Sequence, residues 1–397
     1  YFAKHAWGNT TLNDLVVELE AASGRDMTPW IATWLKTAGV NTFRPALEIS
    51  GENYSSVAIR QETPLMPEGS TELRPHRMAI GLYDLKDGAL VRRKTVELDV
   101  LGISTSVPEF SGEKLADLIL INDQDLSYGK IRFDERSVKT LKNHLGDIQD
   151  PLSRALCWSA SWDMLRDGEL AASDYVPMAL KALPGEPDVA VVGMTLTQLD
   201  TAVELFAADS HRAGLRVQLA NGLEALLDGS VPGSDLQLAY SRALANSAST
   251  PEQGARIRKM LNGEVKGLVV DADLRWHFLN ALVERGLATI DDVEAELAQD
   301  NTANGLRSAA LARAAFPTAE AKARAFESAT KEKLSNHIQL STIRGFQRPS
   351  QRELLAPYVE RYFEVILEVW NSETYEIASN IVVGLYPTYI VAQSTLD

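Results

Sequence analysis

The chain has 397 residues, of which 45% are hydrophobic and 23% charged, and it carries a formal net charge of −15. That length predicts two or three domains with ordinary soluble cores, and the acidic balance argues against the basic face that nucleic acid or an anionic membrane surface requires. The single cysteine, Cys157, excludes an intrachain disulfide and any C-x-x-C metal or redox motif.

Cys157 sits among Leu156, Trp158 and Trp162, which read as a buried apolar helix face, and a cytoplasmic chain is the natural expectation. No apolar run is expected to reach the roughly 18–20 residues that span a bilayer, and no signal peptide opens the sequence. Tyr1-Phe2-Ala3-Lys4-His5-Ala6-Trp7 reads as the last turns of an amphipathic helix with Gly8 as its C-cap. With no initiator Met, the sequence is expected to start inside an element of a longer protein.

Two helices are predicted next. Thr11 and Asp14 form a capping box ahead of Leu12, Leu15, Val16 and Leu19 at helical spacing, and Gly24 ends that helix. Thr28-Pro29 starts the second, whose buried face is expected to hold Trp30, Ile31, Trp34 and Leu35. After Asn41 the period changes to two: Leu47/Ile49, Val57/Ile59, Met78/Ile80/Leu82 and Val96/Leu98/Val100 alternate with polar neighbours. Asp87-Gly88 marks a tight hairpin, Leu118-Ile119-Leu120-Ile121 a fully apolar strand, and residues 63–69 a loop. Residues 41–133 therefore predict a small antiparallel β-sandwich.

From Asp134 onward nearly everything reads as helix, in short amphipathic segments such as Ala213–Leu227, Leu236–Ala245 and Leu274–Val283 separated by brief Gly, Pro, Asn or Asp punctuation. Short connections favour antiparallel neighbours, and a long run of them predicts a large all-α superhelical domain of the HEAT or armadillo type, without a clean repeat. The last long helix, near Arg352–Trp370, is expected to bury Leu354, Leu355, Tyr358, Val359, Tyr362, Phe363 and Ile366, with Tyr358, Tyr362 and Phe363 read as core.

Catalytic signatures are missing. A zincin needs H-E-x-x-H, which places two histidines on one helix face and a base beside them. His5, His76, His144, His211, His277 and His337 all lie in different segments. There is no G-x-S-x-G elbow, no phosphate-binding G-x-x-x-x-G-K-[ST] and no G-x-G-x-x-G. The acidic run Asp291-Asp292 and Glu294/Glu296 opens a predicted helix, where the helix dipole accounts for it. Catalytic and metal-ligating residues are thus both expected to be none.

Several runs carry a resemblance. His5-Ala6-Trp7-Gly8-Asn9-Thr10-Thr11-Leu12-Asn13-Asp14-Leu15 resembles the H-x-x-G-N-A/T-T-x-x-D-L stretch near the end of the catalytic domain in the aminopeptidase N family, and Trp34-Leu35-Lys36-Thr37-Ala38-Gly39-Val40-Asn41 resembles the helices that follow. Asn122-Asp123-Gln124-Asp125-Leu126-Ser127-Tyr128 and Lys130-Ile131-Arg132-Phe133-Asp134 are similar to that family's exit from its β-sandwich. Arg166-Asp167-Gly168-Glu169-Leu170, Asp273-Leu274-Arg275-Trp276 and Gly345-Phe346-Gln347-Arg348-Pro349-Ser350-Gln351 are similar to its C-terminal helical domain in the actinobacterial type. The order of these runs, more than any one of them, carries the likeness.

The resemblance implies a zinc exopeptidase that removes amino-terminal residues from peptides. Its H-E-x-x-H, second zinc-binding Glu, G-A-M-E-N-type motif and catalytic tyrosine would all lie upstream of Tyr1. It implies that residues 1–40 end a thermolysin-like catalytic domain, that 41–133 are the β-sandwich, and that 134–397 form the superhelix, which encloses the substrate cavity and gates access. Zinc would belong to the full-length parent, with none expected in this fragment. The implied partners are a peptide substrate and the upstream catalytic segment, with no nucleic acid and no membrane. Arg275 is the one candidate for a substrate contact, by charge-assisted hydrogen bonds to a peptide carboxyl end; an ion pair with Asp271, Asp273 or a neighbouring helix is the competing role. A stand-alone α-solenoid that binds other proteins is the alternative reading of the whole chain.

Overall fold

The computed structural model describes residues 1–396 and divides into two compact units, Tyr1–Leu170 and Ala171–Asp397. In the first unit, residues 2–8 form turns instead of the expected helix: the N–H groups of Lys4 and His5 both reach the Tyr1 carbonyl at 3.1 Å, and Trp7, not Gly8, takes the left-handed conformation, with φ 64°. Phe2 and Trp7 are exposed, so this short segment has no packed face to offset the cost of helix nucleation.

Helix α1 (Leu12–Ser23) opens on the predicted capping box. The Asp14 carboxylate accepts from the backbone N–H and the hydroxyl of Thr11, each at 2.8 Å, and Gly24 at φ 67° closes the helix. Helix α2 (Thr28–Trp34) carries Pro29 in its first turn. Their expected burial does not occur. Val16 is the only buried residue of α1, α2 buries none, and Leu12, Leu15, Leu19, Trp30 and Leu35 are exposed. The apolar stripes are present, but among the described residues nothing covers them. Arg74 anchors α2 from below: it lies over the Trp34 ring and donates to the carbonyls of Thr33 and Ala38, to Thr37 Oγ1 and to Asn41 Oδ1.

Seven strands follow: β1 (Thr42–Ser50), β2 (Asn53–Glu62), β3 (His76–Lys86), β4 (Ala89–Val100), β5 (Ser104–Ser106), β6 (Leu118–Ile121) and β7 (Lys130–Ile131). They form one sheet in the order β5-β2-β1-β7 and another in the order β4-β3-β6. The β3–β4 hairpin turns at Asp87 (φ 51°) and Gly88 (φ 82°), the two positive φ values that a two-residue turn of this hand needs. All pairings are antiparallel except one: β7 runs parallel to β1, because the chain enters it through the 122–129 loop instead of a hairpin. Phe43, Val57, Ile59, Met78, Ile80, Leu82 and the whole of β6 are buried.

Two helices complete this unit. In α3 (Glu135–His144) the Asp134 carboxylate accepts from the N–H groups of Arg136 and Ser137, and in α4 (Pro151–Arg166) Asp150 accepts from Ser153. Each is an N-cap of the expected chemistry. The helical segments from Asp134 to Arg166 thus group with the sheets. Cys157 lies on α4 as a fully buried thiol whose pKa burial pushes up.

The second unit is helical. It comprises α5 (Ala172–Ala182), α6 (Val189–Thr201), α7 (Asp209–Gly229), α8 (Asp235–Ser247), α9 (Pro251–Leu261), α10 (Ala272–Glu284), α11 (Ile290–Gln299), α12 (Ala303–Ala315), α13 (Ala319–Lys331), α14 (Asn336–Phe346), α15 (Arg352–Leu355), α16 (Tyr358–Ser372), α17 (Tyr375–Gly384) and α18 (Gln393–Leu396). Helices α6, α8, α10, α12, α14 and α17 pack successively side by side, and α7, α9, α11 and α13 each pack on α8, α10, α12 and α14 in turn. The single helix expected over Arg352–Trp370 is broken between α15 and α16, at Pro357, which has no N–H to donate to the Glu353 carbonyl one turn back. Tyr358 and Tyr362 are core as read, but Phe363 points outward.

One stretch, Val189–Phe206, is as long and apolar as a membrane span, with a mean hydropathy of 1.3, contrary to the expectation that none would be. It also carries Asp200 and Glu204, and its apolar residues Val192, Leu199 and Val203 are buried in the unit's own core.

A close helix–helix approach joins α12 to α14. A Cβ on Gly345 would lie 2.2 Å from the Leu311 carbonyl oxygen and 2.8 Å from the Ala314 Cβ. The adjoining helix ends are satisfied by Lys322, buried on α13, whose Nζ donates to the carbonyls of Ala314, Gly345 and Phe346 at 2.9, 3.1 and 3.0 Å. Burial, helped by the charge of Arg348, draws this ammonium down to about 7, while the helix C-terminal carbonyls favour its proton. Gly345→Ala forces backbone apart with no flexible side chain to yield. It is expected to cost about 3 kcal/mol, read as a lower urea midpoint at unchanged slope. A midpoint equal to that of the parent would contradict the close approach.

Candidate functional site

The helical unit places a buried charge cluster where α6 ends. The last turn there, residues 202–206, is a π-helix, a wider turn that re-aims side chains and recurs at functional positions. It holds Glu204, 8% exposed, against two guanidinium groups. Arg216 of α7 grips it through two parallel bonds of 2.7 and 2.6 Å. Arg352 of α15 reaches it at 2.9 Å and also donates to its backbone carbonyl, although the two residues are 148 apart in sequence. Arg352 in turn donates to the Tyr389 carbonyl and lies over that ring. Nearby, Arg348 stands 3.2 Å from the Glu284 carboxylate, and the Gln351 amide donates to the carbonyls of Glu284 and Ala315 at 2.9 and 2.8 Å.

Asp200 lies one helical turn before Glu204 and behaves oppositely. Burial raises its pKa to about 6, reinforced by the charges of Glu204 and Glu284 and opposed by Arg216 and Arg285. Burial also pushes the Glu204 carboxyl upward, but the hydrogen bonds and charges of Arg216 and Arg352 outweigh it and hold it below its ordinary value. The two carboxylates therefore have opposite linkage. The folded state binds a proton at Asp200 more readily than the unfolded chain does. Its contribution is most favourable below the unfolded value of 3.8 and is lost as pH rises through about 6. Glu204 contributes above its ordinary value of 4.5 and loses that contribution on acidification. Asp200→Asn should stabilise the chain at pH 7.5 by about 1–2 kcal/mol and lose most of that gain by pH 4.5. Glu204→Gln should destabilise it at pH 7.5 by about 3 kcal/mol. Thermal unfolding across this pH range tests both, and an Asp200→Asn gain that does not vary with pH would contradict the assignment.

Arg275, the candidate for a substrate contact, is held by Glu296 of α11 through bonds of 2.8 and 2.6 Å and also faces the Leu261 carbonyl at 3.4 Å. Its partner is a neighbouring helix, not Asp271 or Asp273. Asp271 instead caps α10 by accepting from Leu274, and Trp276 donates to Asp300 at 2.9 Å. The histidines are not brought together. His211 and His337 are exposed, His144 pairs with Asp147 at 2.8 Å, and His277 Nε2 donates to the Arg242 carbonyl at 3.0 Å. His76 is wedged between Trp34 and Phe43, with Nδ1 2.6 Å from the Ser127 hydroxyl, and burial, with the charge of Arg74, lowers it to about 4. Among the described residues, no group of three or more His, Cys, Asp or Glu side chains could hold a metal ion.

In the first unit, two runs far apart in sequence meet. Arg132, 2% exposed, bonds Glu169 at 2.7 Å and also pairs with Asp167, Lys130 reaches Asp167 at 2.7 Å, and Arg44 bonds Glu169 at 2.5 and 2.9 Å. The Arg44 hydrogen bond foremost, and Arg132 beside it, hold the Glu169 carboxyl down at about 2 against the effect of burial. Sequence reasoning singled out Lys130–Asp134 and Arg166–Leu170 but not their contact. It missed Asp200, Glu204, Arg216 and Arg352 altogether. The available signal was two carboxylates inside the otherwise apolar run Val189–Phe206.

The family model for the ERAP1-like C-terminal domain matches residues 118–397. Aminopeptidase N of Streptomyces lividans is 47% identical over 406 aligned residues, an alignment that takes in 100% of this chain and 47% of that protein. The chain thus spans about half the length of the curated relative it matches. It belongs to the family of ERAP1-like C-terminal domains and corresponds to a C-terminal portion of an aminopeptidase N.

Proposed function

We propose that this chain is the non-catalytic C-terminal portion of a zinc-dependent aminopeptidase that removes amino-terminal residues from peptides, and that it encloses the substrate cavity and gates access to it. The open apolar faces of α1 and α2 carry the reading: Leu12, Leu15, Leu19, Trp30 and Leu35 form stripes at core spacing that nothing among the described residues covers. A relative about twice as long offers the covering partner, an upstream segment of the same protein. Residues 1–40 are then the end of a thermolysin-like catalytic domain, 41–133 a β-sandwich spacer and 134–397 a HEAT- or armadillo-like superhelix; the successive pairing of α6 through α14 supports the superhelix over that stretch, while α3 and α4 group with the sheets.

Zinc belongs to the parent in this reading, which would be cytoplasmic. The residues present here do not fit the ion: there is no H-E-x-x-H, and the described residues hold no ligand group. No chemical step is assigned to them. Arg275 stays a secondary candidate for contact with a peptide carboxyl end, since such a ligand would have to compete with Glu296 for its guanidinium.

Hydrolysis of alanine- and leucine-amidomethylcoumarin tests the proposal. The chain alone, with zinc added, is expected to give no turnover. Mixing it with a separately expressed upstream segment bearing H-E-x-x-H is expected to give a complex and activity. Leu15→Asp with Trp30→Asp, both at exposed positions, should weaken that complex more than tenfold without changing the melting of the chain. Chelator-sensitive turnover by the chain alone, or a complex indifferent to both substitutions, would overturn the reading.

A further inference from the structure

Between α6 and α8 lies an open cavity of about 350 Å³, lined by Leu196, Thr197 and Asp200 on one side and Arg242, Asn246 and Ser247 on the other. Arg216, Arg256, Arg275, Arg313 and Arg352 of this unit each hold a carboxylate; Arg242 does not. Among the described residues, the Asp200 carboxylate and the Arg242 guanidinium make no hydrogen bond and no ion pair, with each other or with any other group, and both are half-buried. The charges of Arg216 and Arg285 offset only part of the cost of burying Asp200, and a half-buried charge with no hydrogen-bond partner is costly.

The wall behind them is fixed. His277 Nε2 donates to the Arg242 carbonyl at 3.0 Å, and Arg285 donates to the carbonyls of Asn246 and Ala248 at 2.5 and 2.7 Å, which pins the end of α8. On the other side Leu199 is buried and the π-turn follows directly. The two charged groups are therefore presented from rigid elements across a gap they do not close themselves.

We infer that this cavity binds a free α-amino acid as its zwitterion, the ammonium on Asp200 and the carboxylate on Arg242. A simple cation would satisfy only the aspartate and a simple anion only the arginine; a zwitterion satisfies both with charge-assisted hydrogen bonds. Thr197, Asn246 and Ser247 supply further donors and acceptors, and Leu196 offers an apolar surface to the ligand side chain. The volume lies at the small end of ligand cavities, about 300–1,000 Å³, which suits a single amino acid. The inference is independent of the peptidase reading, since it concerns equilibrium binding to the helical unit.

Titration of the intact chain with L-leucine, followed by calorimetry or by amide chemical shifts, tests it against two capped analogues. N-acetyl-L-leucine lacks the cation and L-leucinamide lacks the anion. Saturable leucine binding is expected, with shifts confined to residues around 193–200 and 239–247. Each analogue should bind at least about tenfold more weakly, as should leucine to Asp200→Asn and to Arg242→Gln. Circular dichroism of the variants should match the parent. Absence of saturable leucine binding, or an analogue or variant that binds as tightly as leucine binds the parent, would overturn the inference.

Discussion

The helical unit depends on one buried carboxylate. Glu204 is shared by Arg216 and Arg352, which joins the early helices of the unit to its C-terminal end across 148 residues of sequence. Burying an ionised group without a partner costs several kcal/mol, whereas two guanidinium groups with good geometry offset that cost. The consequence is a constraint on register. The widened turn at 202–206 turns Glu204 toward both arginines, and the 345–352 run brings Arg352 to meet it.

That run does several jobs at once. Gly345 lets α14 approach the backbone of α12, the carbonyls of Gly345 and Phe346 accept from buried Lys322, Arg348 faces Glu284, Gln351 bonds two carbonyls, and Arg352 closes on Glu204. The first unit has an analogous knot, in which Arg132 and Arg44 share Glu169 while Lys130 and Arg132 share Asp167. In both units, runs that attract notice as sequence motifs turn out to be places where distant segments are joined by charge.

Much of the local structure was legible. The capping box of Thr11 and Asp14, the Asp87-Gly88 hairpin, the apolar β6 and the caps at Asp134 and Asp271 follow from chemistry within a few residues. What failed depended on distant neighbours. The stripes of α1 and α2 were correct as patterns, but burial needs a partner surface. Phe363 was read as core with Tyr358 and Tyr362, yet it follows Tyr362 directly and so lies about 100° round α16 from the buried face of Tyr358, Tyr362 and Val369. For Arg275 the sequence left Asp271, Asp273 and a neighbouring helix open as partners; the partner is Glu296, 21 residues away on the next helix, and spacing along one helix does not choose among them. Asp200 and Glu204 looked alike in sequence; the hydrogen bonds that Arg216 and Arg352 make to Glu204 and not to Asp200 separate their pKa values.

The account comes down to α1 and α2, two amphipathic helices with correct sequence patterns and open faces. Hydrogen–deuterium exchange of this chain, compared with the same residues in the full-length protein, tests it most directly. The account predicts that the α1 and α2 amides exchange readily in the isolated chain and become strongly protected in the longer protein, while the amides of β3, β6 and α12 are protected alike in both. Equal protection of α1 and α2 in the two samples would mean that no upstream segment covers them, and would contradict the reading of this chain as part of a larger peptidase.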